Sequence, residues 1–588
     1  MLTRRNLLAS TAATVAASAL PTAVAATRTP LTTDAMLMML AENHLRRYPA
    51  DASELGIDTG PRAGLRGKLQ NKSAAGQQAI GVGLREDLAF MRPTEITERD
   101  PANRVHFDVV RTAYESALRG FAFGYGEVAV GGWRNSPYVV CQNVGSYIDI
   151  TRLLTSTQKL GNAADAAAYL ARLEAYAAQL DGETARVRHD AAMGVAAPSF
   201  LLDKALAALA IARSGDPASW AIVTALAEKF PTQGAAASRI AKDRIAPALA
   251  RQVAALTAAR AGASDIAGVW RLPRGDEYYR WALQAATTTT RSPDEIHQQG
   301  LDELKYYQAQ MDAILRPLGY TQGSVGARMT ALGKDKRFLF SADDRGRAQI
   351  IAFMQAQIDA IRPKLPTAFG HPVAGRVEVR RIPAAEEPGA AGAYGGPGSI
   401  DGSIPGKLWI NLRDPGALPR YSLPTLAYHE ALPGHVWQGE YSFRLPLIRS
   451  LLAFSAYQEG WALYAEQLAD ELGMYAAEPV NRLGFLQSMA FRACRLVVDT
   501  GIHAKRWTRA QAISWFAEAN GQDSGEVASE VDRYCSWPGQ ACAYKVGHSE
   551  IVRLRGTAKG RLDLKAFDDR VVGAGPVPMT VLARIVAA

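Results

Sequence analysis

The sequence has few cysteines and no long apolar run in its main part, and each absence excludes a class of protein. Its 588 residues include only four cysteines, none in a C-x-x-C pair, which argues against a zinc ribbon or a thioredoxin-type site. In an oxidising compartment Cys535 and Cys542 could close a small loop, or all four could be free buried thiols. No later run of about twenty apolar residues lacks charges, so we expect no stable membrane insertion.

Concentrated charge and the motifs of several other chemistries are also missing. The net charge of +9 is modest for this length, and basic residues are interleaved with acidic ones. A nucleic-acid-binding protein more often carries a basic stripe, so we expect no nucleic-acid partner. There is no G-x-x-x-x-G-K-[ST] phosphate loop and no G-x-S-x-G nucleophile motif, and the glycines of 395–402 miss the G-x-G-x-x-G register. Nucleotide-dependent and serine-hydrolase chemistry therefore find little support.

The N-terminal segment has the pattern of a signal peptide. Thr3-Arg4-Arg5-Asn6-Leu7-Leu8 is a twin-arginine motif, and an apolar run follows it to about Leu20. Ala23-Val24-Ala25 supplies small residues for cleavage, which predicts a mature start at Ala26. No cysteine follows the apolar run to carry a lipid anchor. We therefore expect residues 1–25 to direct export to the periplasm by the twin-arginine route.

The rest of the chain, residues 26–588, is predicted to form one large unit that is mostly α-helical. Residues 26–270 form an alanine-rich helical lobe, with apolar residues at three-to-four spacing in segments such as 163–180 and 217–230. In the lobe of residues 271–588, Ser292-Pro293-Asp294-Glu295 predicts the start of a helix that runs to about Leu318. Between about 373 and 412 the period changes to that of strands, at 376–382 and 407–411, around a Gly/Pro-rich loop. This region predicts a small β-sheet insert.

One motif, L-A-Y-H-E-A-L-P-G-H-V-W-Q at 426–438, is close to the H-E-x-x-H pattern of zinc peptidases, but its second histidine comes two residues late. His429 and His435 differ by about 240° on a straight helix and cannot share a metal from it. Pro433-Gly434 is suited to absorb the extra residues, because Pro disrupts the helical hydrogen bonds and Gly tolerates unusual dihedrals. A bulge or kink there would bring His435 to the place of an i+4 histidine. The alternative is a capped helix with two ordinary core histidines.

A third metal ligand is available in Y-Q-E-G-W-A-L-Y-A-E at 457–466. Glu459 lies 24 residues beyond His435, which leaves room for a loop and a return into a second helix. An acidic residue on this apolar face is costly to bury unless it is paired or metal-bound. Glu466 lies on nearly the same face and could hydrogen-bond a ligand histidine from outside the ligand set. Two histidines and a glutamate are a common ligand set of catalytic zinc, and Glu430 could then deprotonate the attacking water.

These motifs closely resemble those of a bacterial family known as domain of unknown function 885, whose hallmark is H-E-[GA]-x-P-G-H-x-x-Q. The positions that match are His429, Glu430, Ala431, Pro433, Gly434, His435 and Gln438. Val436 stands where the family often has a further histidine. Three further segments resemble family motifs: E-G-W-A-L-Y-A-E at 459–466, R-L-V-V-D-T-G-I-H at 495–503 and R-Y-x-x-x-P-G-Q-A-x-x-Y-K-x-G at 533–547.

That family is similar to the gluzincin metallopeptidases, and the similarity implies a fold and a set of roles. The implied fold is a large helical metallopeptidase fold with a deep channel between two halves and a short sheet along its wall. The implied roles are one Zn²⁺ per chain, bound by His429, His435 and Glu459, with Glu430 as general base. The late second histidine departs from the gluzincin pattern.

Other residues are candidates for roles around such a site. An oxyanion could accept a hydrogen bond from Tyr544, the first choice, or from Tyr534 or His548, although packing roles are open for each. A substrate could be held by Lys545 or Arg533, although a solvated lysine is the simpler interpretation. Tyr394 could cover the metal as a mobile lid residue, or its loop could be a surface connection.

A polar stripe at three-to-four spacing leaves two further interpretations open. Its members are Arg492, Arg495, Asp499 and His503. They could form a buried polar network in which Asp499 supports the site from behind the ligands, or they could face solvent.

The predicted function is a zinc-dependent peptidase that hydrolyses short peptides. One alternative is a non-catalytic, peptide-binding pseudo-enzyme that has lost its metal, although retention of Glu430 argues against it. The other is a metal-dependent hydrolase of non-peptide amides, which would use the same site. The motifs do not determine the oligomeric state.

Overall fold

The structure is a computed structural model and describes residues 31–132, 134–384, 387, 392–398 and 404–588. The predicted signal peptide lies outside these described residues. The helices that precede the sheet are α1 Thr33–Arg47, α2 Pro49–Glu54, α3 Ala74–Thr97, α4 Pro101–Phe121, α5 Ser146–Arg152, α6 Ala163–Ala192, α7 Ser199–Ala212, α8 Ala221–Ala227, α9 Pro231–Ile240, α10 Ala246–Ala261, α11 Gly275–Thr287, α12 Pro293–Leu315, α13 Val325–Gly333 and α14 Asp344–Ile361.

After the sheet the chain returns to helices and remains mostly helical to its C-terminus. These are α15 Leu423–Glu430, α16 His435–Ser442, α17 Leu447–Leu451, α18 Ser455–Glu471, α19 Pro479–His503, α20 Arg509–Asn520, α21 Ser524–Ser536, α22 Gln540–Ala558, α23 Leu564–Gly573 and α24 Met579–Ala587. The prediction of a mostly α-helical fold with a small β-sheet is confirmed.

Local sequence signals fix several helix boundaries. The backbone N–H of Glu295 donates to the Ser292 hydroxyl, and the Ser292 N–H donates to the Glu295 carboxylate, so α12 begins with a complete capping box. The segment 217–230 is less helical than its spacing predicts. A 3₁₀ turn and an extended Trp220 precede the short α8, which ends before the proline that begins α9.

Three short strands form the sheet, in the order β1–β3–β2. The strands β1 Val377–Arg381 and β3 Gly406–Ile410 are parallel, and β2 Ala393–Gly396 pairs antiparallel with β3. The sequence predicts β1 and β3 but assigns β2 to a loop, because Ala-Tyr-Gly-Gly has no strand period. A side chain on Gly395 of β2 would overlap the carbonyl oxygen of Glu430. The sheet therefore packs directly against the end of α15.

One hydrophobic cluster extends from Met36 to Val586, so the early and late helices share a core. Within it α18 packs along α22, and α12 along α19. The four cysteines are buried free thiols and form no disulfide. Within the described residues no helix has both the length and the apolarity to cross a bilayer.

The helices α18 and α22 run parallel to each other, as three cross-contacts show. Gln540 donates to Ser455 near the start of both helices (3.4 Å), and His548 contacts Gln467 further along (2.8 Å). Near their ends Arg555 pairs with Glu471 at 2.8 Å. In this parallel alignment, residues near 459 on α18 lie beside residues near 545 on α22.

Candidate metal centre

The two histidines of the motif lie on separate helices that meet at a sharp turn. The helix α15 ends at Glu430 and α16 begins at His435, so the interruption is larger than the bulge or kink that the spacing suggests. Gly434 has φ −77° and ψ −131°, outside the helical region. A side chain there would overlap the carbonyl oxygen of His429, so the close return of the chain requires glycine.

The turn is held by the helix that carries the third candidate ligand. The indole N–H of Trp461 donates to the carbonyl oxygen of Pro433 at 2.9 Å. Trp461 is fully buried on α18, two residues after Glu459. A single helix therefore positions both Glu459 and the turn that separates the histidines.

His429, His435 and Glu459 converge, and one ligand atom from each lies within 4.8 Å of the others. Nε2 of His435 is 3.5 Å from Oε2 of Glu459, and Nε2 of His429 is 3.8 Å from the same oxygen. Two ligands of one tetrahedral zinc, each at about 2.0–2.2 Å, stand roughly 3.3–3.6 Å apart. The donor types and their spacing therefore fit a divalent ion such as zinc, and the described residues contain no second group of this kind.

Glu466 holds His429 from the side away from Glu459. Its Oε1 lies 2.7 Å from Nδ1 of His429, and its Oε2 accepts from the Thr425 hydroxyl at 2.9 Å. With Nδ1 as the donor in this pair, Nε2 keeps its lone pair for the centre of the cluster. Glu466 thus occupies the place behind a ligand that its sequence position predicts.

The buried charges of the cluster depend on one another. Burial lowers the pKa of His429, but the nearby carboxylates of Glu459 and Glu466 outweigh this and raise the pKa to about 9. Burial raises the pKa of Glu459, yet the two neighbouring histidines bring it far below its usual value. A charged carboxylate buried this deeply is stable only beside cations, and a bound metal ion would supply that charge.

Glu430, the predicted general base, adjoins the cluster. It is 8% exposed, and its Oε1 lies 4.0 Å from Nε2 of His429. Its backbone carbonyl lies close to Gly395 of β2, so the sheet packs against the residue that carries this carboxylate.

Tyr544 is an oxyanion candidate whose hydroxyl interacts electrostatically with Glu459 of the cluster. It lies on α22 level with Glu459 and is partly buried. Burial raises its pKa, and the negative charge of Glu459 raises it further. Its ring stacks on the Arg495 guanidinium, 4.3 Å from the ring centre, which leaves the hydroxyl as the polar end of a fixed side chain.

Tyr534 and Arg533 belong instead to a network around Glu530. The Tyr534 hydroxyl donates to Oε2 of Glu530 at 2.7 Å and accepts from Nε of Arg495 at 3.1 Å. Arg533 and Arg495 both donate to the same Oε2 at 2.8 Å. Tyr534 is fully buried, so its hydroxyl has no room for a substrate, whereas Arg533 keeps 19% of its side chain exposed.

Lys545 and His548 lie on α22 but contact each other and not the metal cluster. The Lys545 amino group is 2.7 Å from Glu303, 2.9 Å from the Tyr307 hydroxyl and 2.8 Å from Nδ1 of His548. Nε2 of His548 contacts Gln467. Both side chains are almost completely buried, so in this structure neither is available to a substrate or an oxyanion.

Asp499 contacts the turn before α22 and none of the three candidate ligands. It accepts from the Tyr279 hydroxyl at 2.7 Å and from the backbone N–H of Gly539 at 3.0 Å. Burial raises its pKa to about 7, despite these hydrogen bonds. Of the predicted polar stripe, Asp499, Arg495 and His503 are buried and Arg492 is half-buried, which favours the buried-network interpretation over a solvent face.

Tyr394 lies on β2, beside the glycine that meets Glu430. Its side chain is 43% exposed, and its ring stacks on Trp409 of β3 at 6.4 Å between centroids. It is thus part of a strand, whereas the sequence places it in a loop.

Sequence reasoning missed three residues that shape the site. Trp461 and Thr425 lie within or beside the recognised motifs, but only the packing of α15 on α18 gives them partners. No pattern in the sequence around Glu530 predicts its contacts, because the two arginines that it accepts from lie on different helices.

The chain matches the model of a family described as bacterial protein of unknown function (DUF885) over residues 49–586. Among solved structures it is similar to "the putative lipoprotein from Colwellia psychrerythraea", with 32% identity, a TM-score of 0.88, and coverage of 94% of this chain and 98% of that one. It also resembles "a putative lipoprotein of unknown function from Shewanella oneidensis", with 18% identity, a TM-score of 0.65, and coverage of 95% and 100%. This second likeness concerns the fold alone.

No curated protein matches the chain. The family match covers nearly the whole described chain and includes every residue of the candidate metal centre. The chain therefore belongs to the bacterial family DUF885.

Proposed function

We propose that this protein is a zinc-dependent peptidase of the gluzincin type that hydrolyses short peptides. The observation that carries the proposal is the convergence of His429, His435 and Glu459 within 4.8 Å, next to the carboxylate of Glu430. A structural zinc usually has four protein ligands, whereas two histidines and one glutamate leave a position open for chemistry.

In this proposal each residue of the site has a separate catalytic role. A zinc ion held by the two histidines and Glu459 would acidify a water and polarise the substrate carbonyl. Glu430 accepts the proton of the attacking water and returns it to the leaving amine. Tyr544 donates to the carbonyl oxygen as negative charge develops there. Glu466 keeps His429 in the orientation and tautomer that metal binding requires.

A deep channel leading to the site is part of this proposal. The similarity of the family to the gluzincin metallopeptidases implies it, and its support in this chain is the short sheet that packs against Glu430 at the end of α15.

Export to the periplasm is the proposed location. Its support is the twin-arginine pattern of residues 1–25, together with the similarity to the structure from Colwellia psychrerythraea, which is described as a putative lipoprotein.

The deciding experiment is the metal content of the purified mature protein, measured by mass spectrometry beside His435→Ala and Glu459→Ala. The expected result is about one zinc per chain, lost in both variants. The zinc-loaded protein and Glu430→Gln are then compared on a library of acetylated tetrapeptides. Cleavage by the parent alone supports the proposal. A parent without metal after zinc is supplied, or one that binds zinc and cleaves no peptide, contradicts it.

A further inference from the structure

The outer face of α3 carries two parallel rows of exposed side chains. Val82, Ala89 and Ile96 form an apolar row at seven-residue spacing. A helix turns about 100° per residue, so residues seven apart lie within about 20° of one line. Arg85 and Arg92 form a basic row beside it, about 60° around the helix. Apolar side chains that cluster on an outer face in this way mark an interaction surface.

A groove between α3 and α4 adjoins these rows and contains guanidinium groups without partners. Its volume is about 540 Å³, and Arg92, Arg104 and Ile96 are among its lining residues. Neither Arg92 nor Arg104 has an ion-pair or hydrogen-bond partner for its side chain in the part of the chain that the structure describes. The other two arginines of the groove, Arg111 and Arg584, pair with carboxylates.

Positive charge prevails on the exposed surface of the two helices. Their exposed arginines are Arg85, Arg92, Arg104 and Arg119, and their exposed acidic residues are Glu86 and Glu115. An apolar row flanked by a surplus of arginine matches a surface that is itself both apolar and anionic. We call Val82, Ala89, Ile96, Arg85, Arg92 and Arg104 the docking face.

The described chain begins beside this helix. The Thr94 hydroxyl of α3 donates to the backbone carbonyl oxygen of Leu31 at 3.3 Å, and the Leu31 side chain is exposed. Phe90, one turn before Thr94, is exposed as well. Residues 1–30, which contain the predicted signal peptide, therefore join the described chain next to α3. A signal peptide that enters a membrane would hold this helix close to the bilayer.

We propose that the docking face binds the surface of a membrane that contains anionic phospholipids. Lipid phosphates accept hydrogen bonds from Arg92 and Arg104, since guanidinium donors match phosphate oxygens. The apolar row enters the boundary between headgroups and acyl chains, as in helices that lie on a bilayer without crossing it. This inference is independent of the proposed peptidase chemistry.

The test is flotation of the mature protein with vesicles of phosphatidylglycerol or of phosphatidylcholine, at about 0.05 M and about 0.5 M salt. We expect binding to phosphatidylglycerol alone, weaker at high salt because ions screen exposed charges. No binding to phosphatidylglycerol, or equal binding to both lipids, overturns the proposal.

Removal of the three arginines of the docking face should weaken binding to phosphatidylglycerol about a hundredfold. The variant is Arg85→Gln/Arg92→Gln/Arg104→Gln, and each arginine near an anionic surface strengthens binding about fivefold. All three side chains are exposed, so the fold should be retained. Binding within about threefold of the parent would contradict the proposal.

The matched control removes the same charge elsewhere. It is Arg188→Gln/Arg239→Gln/Arg345→Gln, with exposed arginines of α6, α9 and α14, and we expect it to bind within about threefold of the parent. An equal loss in both triple variants would show a response to the net charge of +9 in place of a docking face, and would overturn the proposal.

The apolar row distinguishes a membrane from a soluble polyanion such as a nucleic acid. Ile96 is 61% exposed, and Ile96→Ser should weaken vesicle binding at least about threefold. The control Ile211→Ser changes an isoleucine that is still more exposed, on α7, and should bind like the parent. Loss of binding in the arginine variant with none in Ile96→Ser would indicate a polyanion and refute membrane docking.

A fluorescent label reports whether the docking face itself meets the bilayer. Ile96→Cys and Ile211→Cys are labelled with nitrobenzoxadiazole, and the four native thiols are buried, so the label is confined to the new thiol. With phosphatidylglycerol vesicles we expect the emission to move to shorter wavelengths at position 96 only. An unchanged spectrum at position 96, or the same shift at both positions, rules out this orientation and with it the proposal.

Discussion

Replacement of Glu466 by glutamine tests whether the candidate centre depends on the residue behind His429. Glu466 is 1% exposed, and its two oxygens contact Nδ1 of His429 and the Thr425 hydroxyl, at 2.7 and 2.9 Å. Glutamine has the same shape and can retain both contacts, because Thr425 can accept as well as donate. The substitution therefore removes charge while it preserves packing.

The expected loss of zinc affinity follows from these two contacts. A hydrogen bond to a charged group contributes about 1.5–3 kcal/mol and a neutral one about 0.5–1.5 kcal/mol. The difference of roughly 1–1.5 kcal/mol corresponds to about a tenfold weaker binding of zinc. Loss of the charge also makes Nε2 of His429 a poorer electron donor, which acts in the same direction.

The assay is a competition for zinc against a fluorescent chelator, on the parent, Glu466→Gln and a control. The control is Glu471→Gln, which removes a glutamate from the same helix where it pairs with Arg555 on the surface. A surface ion pair contributes at most about 1 kcal/mol to stability, and we expect no change in zinc affinity. Zinc affinity equal to that of the parent in Glu466→Gln would refute the reasoning, as would an equal loss in both variants.

Three further predictions concern the turn and the buried carboxyls. Gly434→Ala should abolish zinc retention with little change in circular dichroism, because the new methyl group overlaps the His429 carbonyl; retained zinc would contradict this account of the turn. Trp461→Phe loses the hydrogen bond to Pro433 and should lower the free energy of unfolding in urea by about 1–2 kcal/mol, and an unchanged urea midpoint would speak against it. Burial raises the pKa of Asp568 to about 8, although Tyr464 and Arg555 lower it. Its unfolded pKa is about 4, so the unfolded chain releases this proton first and stability falls as pH rises between these values, by up to about 1.4 kcal/mol per pH unit. Asp568→Asn should remove this fall in urea titrations from pH 5 to 8, and an identical pH profile in the variant and the parent would exclude this role for Asp568.

The candidate metal centre could be predicted from the sequence to an unusual degree, because its chemistry depends on residue types in a short motif. His429 and Glu430 stand next to each other, and Glu459 and Glu466 share one helical face, so local periodicity already relates them. The backbone conformation between His429 and His435 could not be predicted. The spacing of the two histidines requires an irregular turn, whereas only the packed structure shows that the helix ends at Glu430 and a second helix begins at His435.

The surroundings of the centre were much less predictable. Tyr534 and Lys545 belong to a recognised motif and His548 follows it directly, yet Tyr534 lies on α21 and the other two lie on α22. Tyr544 is the candidate whose pKa the charge of Glu459 raises, and the register of α18 against α22 decides which side of α22 meets the cluster. No single-chain pattern contains that register, because it depends on contacts between helices far apart in sequence.

The sequence by itself determined the helical character, the strand insert, the donor set of the centre and the residue behind it, because each follows from local periodicity or from the chemistry of adjacent side chains. Tertiary structure alone decided the strand β2, the burial of Lys545 against Glu303, and the sharing of Glu530 by Arg495 and Arg533. These features join segments from different helices or strands. Their free energy comes from burial and pairing that exist only once the chain has folded.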